Sequence, residues 1–398
     1  MAALLLITAN PLVAEEPGGP GGAGQIPGDP SRPAPICQPS KLDSAYIPVD
    51  NWVYPAVLRL YSLGFVDTVF LGMRPYTRSS LEHMLEVAGG RIDDADPGPA
   101  TDQAQEIYDA LTHELHTDMQ GPCLLRQGKS RIESLYSVER AISGTPLRDS
   151  YHLGSTVVND YGRPYQNGLN DYSGGSGYVS AGRFLLYARG EFQAAPSAAG
   201  YSQALAQELA ALDGTTYYFS PTTPSTTPVP LNQQDTIPAG PIAAATYGRV
   251  IEAYVSAHYL NHEISFGKQD DWLGPGLGGG MAYSNNAENI YSFRINRIEP
   301  LHIPLLSRVT GPFRYDFLIG PLQGHTYPVG AWTHVEKFSF RPTENLEFGF
   351  ERTVIWGGKD HEPITIHTFL KSFFSFSSPS AAVKNSRDDP GARFGAFD

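Results

Sequence analysis

The sequence predicts a mainly β protein: a transmembrane antiparallel β-barrel that follows a small N-terminal α-helical module. Near Ser130 the spacing of apolar residues changes from the helical period to alternation, and alternating segments recur through the rest of the chain. Tight turns alternate with long loops, and the alternating segments run to about ten residues, longer than most soluble strands. A soluble β-sandwich also alternates, so strand length and the polar residues on one face are what favour the barrel.

The composition restricts the partners and the kind of membrane contact. A net charge of −13 and a pI near 5.3 argue against nucleic acid, because phosphate binding needs a basic face. Charged residues make up 17% and aromatic residues 11% of the chain, which suits a surface that does not face water alone. Without a run of roughly 18 apolar residues, the chain can cross a membrane only as a closed barrel.

The N-terminal segment predicts export. Residues 1–14 are interpreted as the remnant of a secretory signal peptide, because an apolar run ends in small residues although a positively charged start is missing. Residues 15–42 are rich in Pro and Gly and predict a flexible linker. In an oxidising compartment Cys37 and Cys123 can pair, and closing that loop stabilises by about 4–5 kcal/mol in the chain-entropy model. The disulfide is left as a hypothesis.

Residues 43–125 predict a module of three short amphipathic helices. Gly64 is expected to end the first helix, Ser79 or Ser80 to cap the second, and Thr101 to open the third. His83, His113 and His116 are interpreted as polar helix surface rather than as catalytic groups. The apolar spacing places the helices at residues 52–60, 80–86 and 101–115.

Residues 126–398 predict the barrel. Hairpin turns are expected at Gly182-Arg183, at Asn261-His262 and at residues 342–345. Another strand is expected over residues 154–161. Long loops follow at the opposite ends of the strands, which is the pattern of outer-membrane barrels. These long loops span residues 193–245, 270–289 and 357–363.

The alternation also predicts a polar inner face. Glu133, Ser137 and Glu139 are expected on one face of a strand, and Arg189 with Glu191 on one face of another. A packed apolar core does not tolerate so many unpaired charges. About eleven strands can be counted, and the chain ends in strand-like sequence without the usual terminal aromatic residue. The C-terminal strands that close the barrel are therefore expected to be missing from this sequence.

The sequence carries no strong catalytic motif. His262-Glu263 and His361-Glu362 lack the second histidine of a zinc-binding helix, so no metal site is predicted, and no cofactor motif occurs. Asp270 and Asp271 are candidates for the carboxylate pair of a glycoside hydrolase. Adjacent residues of an extended chain point to opposite faces, so a shared catalytic role is not favoured. The prediction is a protein that is not an enzyme.

Carbohydrate binding needs a simpler set of groups than catalysis does. Sugars offer hydroxyls to carboxylates and amides, and apolar faces on which an indole can stack. Loop tryptophans also serve as membrane-interface anchors, so each candidate tryptophan could instead have that role. The predicted carbohydrate-binding residues are Gln269, Asp270, Asp271, Trp272, Trp332 and Trp356.

Several motifs resemble the capsule assembly Wzi family, from about residue 45 to the end of the chain. The glycine–tryptophan loop and the Ser-Asn-Asn-Ala run are the most specific. Leu273 departs from the resemblance, because a second aromatic residue is expected there. The motifs are Trp52-Val53-Tyr54-Pro55, Arg74-Pro75-Tyr76-Thr77-Arg78, Asn159-Asp160-Tyr161-Gly162-Arg163-Pro164, Gly182-Arg183-Phe184, Gly267-Lys268-Gln269 with Trp272, Gly274-Pro275-Gly276 and Ser284-Asn285-Asn286-Ala287.

The resemblance implies an outer-membrane barrel of about eighteen strands with its helical module in the periplasm. It also implies a lectin-like role, in which the barrel anchors or assembles capsular or extracellular polysaccharide on the cell surface. The partners would be that polysaccharide, outer-membrane lipid and the polysaccharide export machinery. Two alternatives remain open: a porin-like channel for small solutes and a secreted glycoside hydrolase.

Overall fold

The structure, a computed structural model, describes residues 44–67, 69–119, 128–143, 160–200, 202–212, 241–276, 279–281, 283, 285, 287–323, 328–375 and 391–398. The N-terminal part is helical and has its own hydrophobic core, in which Val57, Leu81 and Leu111 are fully buried. It contains α1 (Val53–Ser62), a short strand β1 (Met73–Arg74), α2 (Arg78–Asp93) and α3 (Pro99–Met119).

The helix boundaries follow the capping chemistry. Gly64 follows α1 with a positive φ of 89°, as predicted for a residue that ends a helix. The predicted cap of α2 is wrong by two or three residues, because the side chain of Thr77 accepts the hydrogen bond from the amide of Ser80. The third helix begins at Pro99 rather than at Thr101. Proline suits the first position of a helix, because the backbone N–H that it lacks would have no partner within the first turn.

The rest of the chain forms one large antiparallel sheet. Ten strands follow one another in the order β2-β3-β4-β5-β6-β8-β9-β10-β11-β12, while β7 leaves the sheet and pairs with β1. Consecutive antiparallel neighbours are the connectivity of an up-and-down barrel. The strands are β2 (Gly128–Ile142), β3 (Gly168–Ala181), β4 (Phe184–Ala195), β5 (Ala245–Tyr259), β6 (His262–Lys268), β7 (Trp272–Leu273), β8 (Tyr291–Arg297), β9 (Phe313–Pro321), β10 (Trp332–Thr343), β11 (Leu346–Trp356) and β12 (Ala392–Phe397).

The two ends of the sheet differ, and we call them the turn end and the loop end. At the turn end, two residues connect β3 to β4, β5 to β6 and β10 to β11. The turn at Gly182-Arg183 is confirmed. The turn predicted at Asn261-His262 lies one residue earlier, at Leu260 and Asn261, because both of those residues adopt positive φ. The longer connection from β8 to β9 is also at this end and holds the short helix α5 (Ser307–Thr310).

At the loop end the connections are long, as predicted. Two of them contain helices that the sequence did not predict, α4 (Gln203–Leu212) and α6 (Ile366–Phe374). The predicted strand over residues 154–161 lies mostly outside the described residues, and its last residue, Tyr161, is in a turn with a φ of 54°. None of the helices described is both long enough and apolar enough to cross a bilayer.

The sheet has an apolar outer face and a polar inner face. Val255 and Phe266 are more than half exposed on the outer face, whereas Arg189, Glu252 and Arg294 are buried on the inner face beside the helical module. One predicted set of inner residues is wrong. A bulge between Ile132 and Ser134 shifts the alternation of β2, so Glu133 points inward while Ser137 and Glu139 are exposed on the opposite side.

Candidate functional site

The glycine–tryptophan loop folds onto the inner face of the sheet and joins the helical module. Near the end of β6 lies Gly267, whose φ of 141° and close approach to the carbonyl of Ala253 both require glycine. The strand β7 of this loop then pairs with β1, so that Arg74 lies opposite Trp272. In addition, the amide of Gly274 donates to the carbonyl of Gly72 at 3.0 Å. We call this contact, formed by β1, β7 and residues 49–50, the inner junction.

Trp272 is the centre of the inner junction. Its side chain is 1% exposed, its indole N–H donates to the carbonyl of Gly276 at 3.1 Å, and the guanidinium of Arg74 lies 5.9 Å from the ring centroid. In this arrangement the indole offers no open face to a sugar. Trp272 therefore anchors the loop against the helical module, and its role in carbohydrate binding stays a prediction.

Asp270 ties three segments together. Its carboxylate accepts hydrogen bonds from the backbone amide of Val49 at 2.9 Å, from the hydroxyl of Tyr161 at 2.9 Å and from the amide of Asn289 at 3.0 Å. Burial raises the pKa of Asp270, and the positive charge of Arg189 opposes that rise. The residue thus fixes the start of the helical module to the loop and to the connection before β3.

Asp271 takes a different set of partners. Its carboxylate lies 3.3 Å from the fully buried guanidinium of Arg294, which also binds Asp316, and its amide donates to the side chain of Asn285 at 3.0 Å. Gln269, the fourth predicted residue of this loop, is buried and accepts a hydrogen bond from Ser265 at 2.6 Å. The structure therefore brings the four loop residues together but turns their side chains toward separate partners.

Trp332 and Trp356 lie elsewhere. They are directly paired across β10 and β11, with ring centroids 6.3 Å apart, on the outer face of the sheet near the loop end. Trp356 is 2% exposed and packs against His334 and Phe369. The structure thus separates these two tryptophans from Trp272 by the thickness of the sheet. Cys37 and Cys123 lie outside the described residues, so their pairing stays a hypothesis.

A second group of polar and aromatic residues lines the inner face at the loop end. Arg163 donates to both carboxylate oxygens of Glu191, at 2.8 and 2.5 Å, and its guanidinium lies 3.9 Å from the ring centroid of Tyr172. The guanidinium of Arg140 lies 4.7 Å from the ring centroid of Tyr165. We call this group the loop-end cluster: Arg140, Arg163, Tyr165, Tyr172, Glu191 and Gln193.

Three polar atoms of the loop-end cluster lack partners among the described residues. They are Nη1 of Arg140, the hydroxyl of Tyr165 and Oε1 of Gln193. Gln193 is only 1% exposed, and its other amide atom donates to Glu191 at 2.8 Å. Because buried polar atoms are nearly always hydrogen-bonded, these three donors or acceptors beside two aromatic rings fit a ligand that is rich in hydroxyl groups.

Sequence reasoning missed the loop-end cluster. Arg163 was noticed only as part of a motif, and Gln193 was placed at the start of a long loop although it lies within β4. The available signal was the run of tyrosines at residues 161, 165 and 172, combined with arginines at residues 140 and 163. Alternating tyrosine and arginine can form cation–π pairs, but the sequence does not reveal which rings and cations meet.

Comparison with known proteins gives three similarities. The family model described as capsule assembly protein Wzi matches residues 137–398. An uncharacterised 55.8 kDa protein in the cps region of Klebsiella pneumoniae is 27% identical over 149 residues, which cover 37% of this chain and 28% of the relative.

The third similarity is to a solved structure of Wzi from Escherichia coli, which its description calls an outer-membrane protein involved in group 1 capsule assembly and a carbohydrate-binding β-barrel. The match has a TM-score of 0.51 at 15% identity, and it covers 82% of this chain and 56% of that one. At this identity the likeness shows the fold, a β-barrel. The chain spans about half the length of that structure.

Proposed function

The chain belongs to the capsule assembly protein Wzi family, and from this premise we propose that it is an outer-membrane β-barrel that binds capsular or extracellular polysaccharide at the cell surface. It acts by holding the polymer rather than by cleaving it. The similar barrel from Escherichia coli is described as carbohydrate-binding, which supports the substrate class. The cps-region location of the Klebsiella relative agrees with a role in capsule assembly.

The observation that carries this proposal is the loop-end cluster. A polysaccharide supplies hydroxyl groups for the unpartnered atoms of Arg140, Tyr165 and Gln193. It also supplies the apolar ring faces that stack on Tyr165 and Tyr172. Each satisfied hydrogen bond contributes about 1 kcal/mol, so affinity for a long polymer accumulates over several sugar units and several copies of the protein.

The proposed orientation follows from the two ends of the sheet. Outer-membrane barrels keep short turns in the periplasm and long loops outside, so the loop-end cluster faces the cell exterior. The helical module packs against the turn end, where Arg131 near the start of β2 lies 3.3 Å from Glu114 of α3. The module therefore belongs in the periplasm, where the polysaccharide export machinery is within its reach.

The test compares two buried glutamines that carry one bonded and one unpartnered amide atom each. Gln193 lies in the loop-end cluster and Gln269 in the glycine–tryptophan loop. Gln193→Met should weaken binding of the purified protein to immobilised capsular polysaccharide roughly three- to tenfold, the loss of about one hydrogen bond. Gln269→Met serves as the matched control and should leave binding within about twofold.

The same pair of variants should be scored in capsulated cells that lack their own copy of the protein. The ratio of cell-attached to released polysaccharide should fall for Gln193→Met and hold for Gln269→Met. Wild-type protein that inserts correctly but neither binds polysaccharide nor raises the attached fraction would overturn the proposed function. A loss at Gln269 alone would return the binding site to the glycine–tryptophan loop.

A further inference from the structure

Helix α6 packs on the outer face of the sheet, the side opposite the helical module. Phe369 and Phe373 point toward the sheet, and their ring centroids lie 6.0 and 6.1 Å from that of Phe317 on β9. Phe317 alternates with the inward-facing Asp316 and Leu318, which places it on the outer face. The helix begins with a capping box at Thr365, so its position after β11 is well defined by local hydrogen bonds.

Beneath α6 the outer face carries charged residues. Arg352 donates to Glu336 at 2.9 Å, and His334 contacts the same carboxylate at 2.9 Å through its Nδ1 atom. The three side chains are buried, with exposed fractions of at most 7%. We call them the outer-face charged group. An uncovered charged group at this position on the wall of a membrane barrel would face hydrocarbon, which is strongly unfavourable for a charge.

The helix completes the hydrogen bonds of the outer-face charged group. Nε2 of His334 lies 2.9 Å from the hydroxyl of Ser372, and Arg352 donates to the carbonyl of Phe373 at 2.5 Å. Thr368 and Ser372 form the polar part of the packed side of α6, and both are buried. The helix therefore covers polar groups that the strands alone leave open.

The opposite side of α6 is apolar and uncovered. Ile366, Leu370 and Phe374 are 80%, 44% and 66% exposed. They are four residues apart and so form one row along the helix. The outer face of the sheet is also apolar and exposed beyond this row, for example at Phe397 on β12, which pairs with Phe350 of β11. Exposing such an apolar row to water would be unfavourable in free energy, and the helix has only nine residues.

We infer that α6 is a lipid-facing cover helix: its row of Ile366, Leu370 and Phe374 contacts the acyl chains of the membrane, while its other side shields the outer-face charged group. This inference rests on the proposed outer-membrane location. Acyl chains are the occupant that fits, because the exposed residues on the outer face are mostly apolar from β3 to β12, and hydrocarbon would cover them together with the row on α6.

The test measures which medium touches the row in the protein reconstituted into phospholipid vesicles. Cys37 and Cys123 are replaced by serine, and a nitroxide label is attached at Leu370→Cys. Collision with molecular oxygen, which concentrates in hydrocarbon, is compared with collision with a water-soluble nickel chelate. Val255→Cys on the outer face of β5 reports whether the sheet itself lies in lipid, and Glu106→Cys on the exposed side of α3 reports water.

If α6 faces lipid, the label at Leu370 should behave like that at Val255, with frequent oxygen collisions and infrequent nickel collisions. Nickel collisions at Leu370 as frequent as at Glu106, with Val255 still in lipid, would overturn the lipid-facing helix and leave the proposed location intact. Weak collisions with both reagents would also overturn it, because a protein partner would then cover the row. Frequent nickel collisions at Val255 would instead refute the membrane location. Ile366→Cys, at the exposed start of the helix, repeats the measurement if the Leu370 variant does not fold.

Discussion

Asp50, in the segment before α1, forms a bidentate ion pair with Arg189 on the inner face of β4. Its carboxylate oxygens lie 3.0 and 2.8 Å from the two terminal nitrogens of the guanidinium. Arg189 also lies 3.7 Å from Glu252 and 3.5 Å from Glu191. The pair joins the helical module to the wall of the barrel at a position where the arginine is almost fully buried, so it holds the two parts together.

Asp50→Asn should loosen the helical module. Removing one partner of a buried ion pair costs about 3–5 kcal/mol when the remaining charge is left alone, and the nearby Glu252 and Glu191 reduce that cost to about 2 kcal/mol here. The measurement is the free energy of unfolding in detergent from urea titrations. Asp93→Asn, at the exposed end of α2, is the matched control and should change the free energy by less than about 0.5 kcal/mol.

The same pair should make stability depend on pH. Burial alone would raise the pKa of Asp50, but the guanidinium of Arg189 outweighs it and holds the pKa of that carboxyl below its ordinary value. The unfolded state then binds more protons in acid, so the contribution is complete above about pH 4, the unfolded pKa, and is lost as the pH falls through the folded pKa.

The difference in unfolding free energy between wild type and Asp50→Asn should therefore be largest at pH 7 and shrink toward pH 3. A difference that stays constant over this range would show that the carboxylate of Asp50 does not stabilise the junction through its charge.

Trp272→Ala should open the inner junction. The substitution removes a fully buried indole and leaves a cavity, at a cost of about 3–5 kcal/mol. The segment around β1 should become more sensitive to limited proteolysis, and Trp272→Phe should show a smaller effect because it keeps most of the volume. Trp52→Ala, at a tryptophan that is 46% exposed, is the control. Equal proteolysis of the Trp272→Ala variant and the wild type would contradict an anchoring role.

The filled inner face bears on the alternative of a porin-like channel. The inner junction and the ion pairs of Arg189 and Arg294 occupy the inner face at mid-height, so wild-type protein in planar bilayers should show no steady ion conductance. Combining Asp50→Asn with Trp272→Ala should produce conductance bursts as the junction opens. Steady, ohmic conductance of the wild type would favour the channel over the polysaccharide-binding barrel.

Glu336→Gln should destabilise the barrel more than the double replacement Glu336→Leu with Arg352→Met. The single change leaves the buried cation of Arg352 without its carboxylate, which costs about 3–5 kcal/mol, whereas replacing both partners by apolar residues is often close to neutral. The thermodynamic cycle is formed by the unfolding free energies of the wild type, of Glu336→Leu alone, of Arg352→Met alone and of the double variant. Additive losses would argue that the charges under α6 do not act as a pair.

The parts of the fold that depend on local sequence were predictable. The turn at Gly182-Arg183 and the alternation of β4 follow from residues that are neighbours in the chain. The bulge at Glu133 was not predictable, because one extra residue in an edge strand does not require a distinctive residue type that could be recognised in the sequence. The strand β1 is two residues long, which is too short to show any period.

The candidate site was predictable only in its residue types. The loop from Gln269 to Trp272 has the same polar and aromatic composition whether it extends outward or folds inward, and its partner at Arg74 decides the direction. The loop-end cluster depends on Tyr165 and Gln193 meeting across strands, which alternation alone cannot specify. Membership in the capsule assembly protein Wzi family was visible from motifs, whereas the proposed binding surface required the packing.

The pairing of β1 with β7 also sets an order of assembly. Arg74 and its partner Pro275 are 201 residues apart, whereas the core of the three helices uses contacts within residues 47–115. Contacts between distant parts of a chain form more slowly than local ones, because the intervening loop must first be closed. We therefore expect the three helices to fold first. The strands should then pair around them during membrane insertion, and the loop at Trp272 should form its contacts with β1 last.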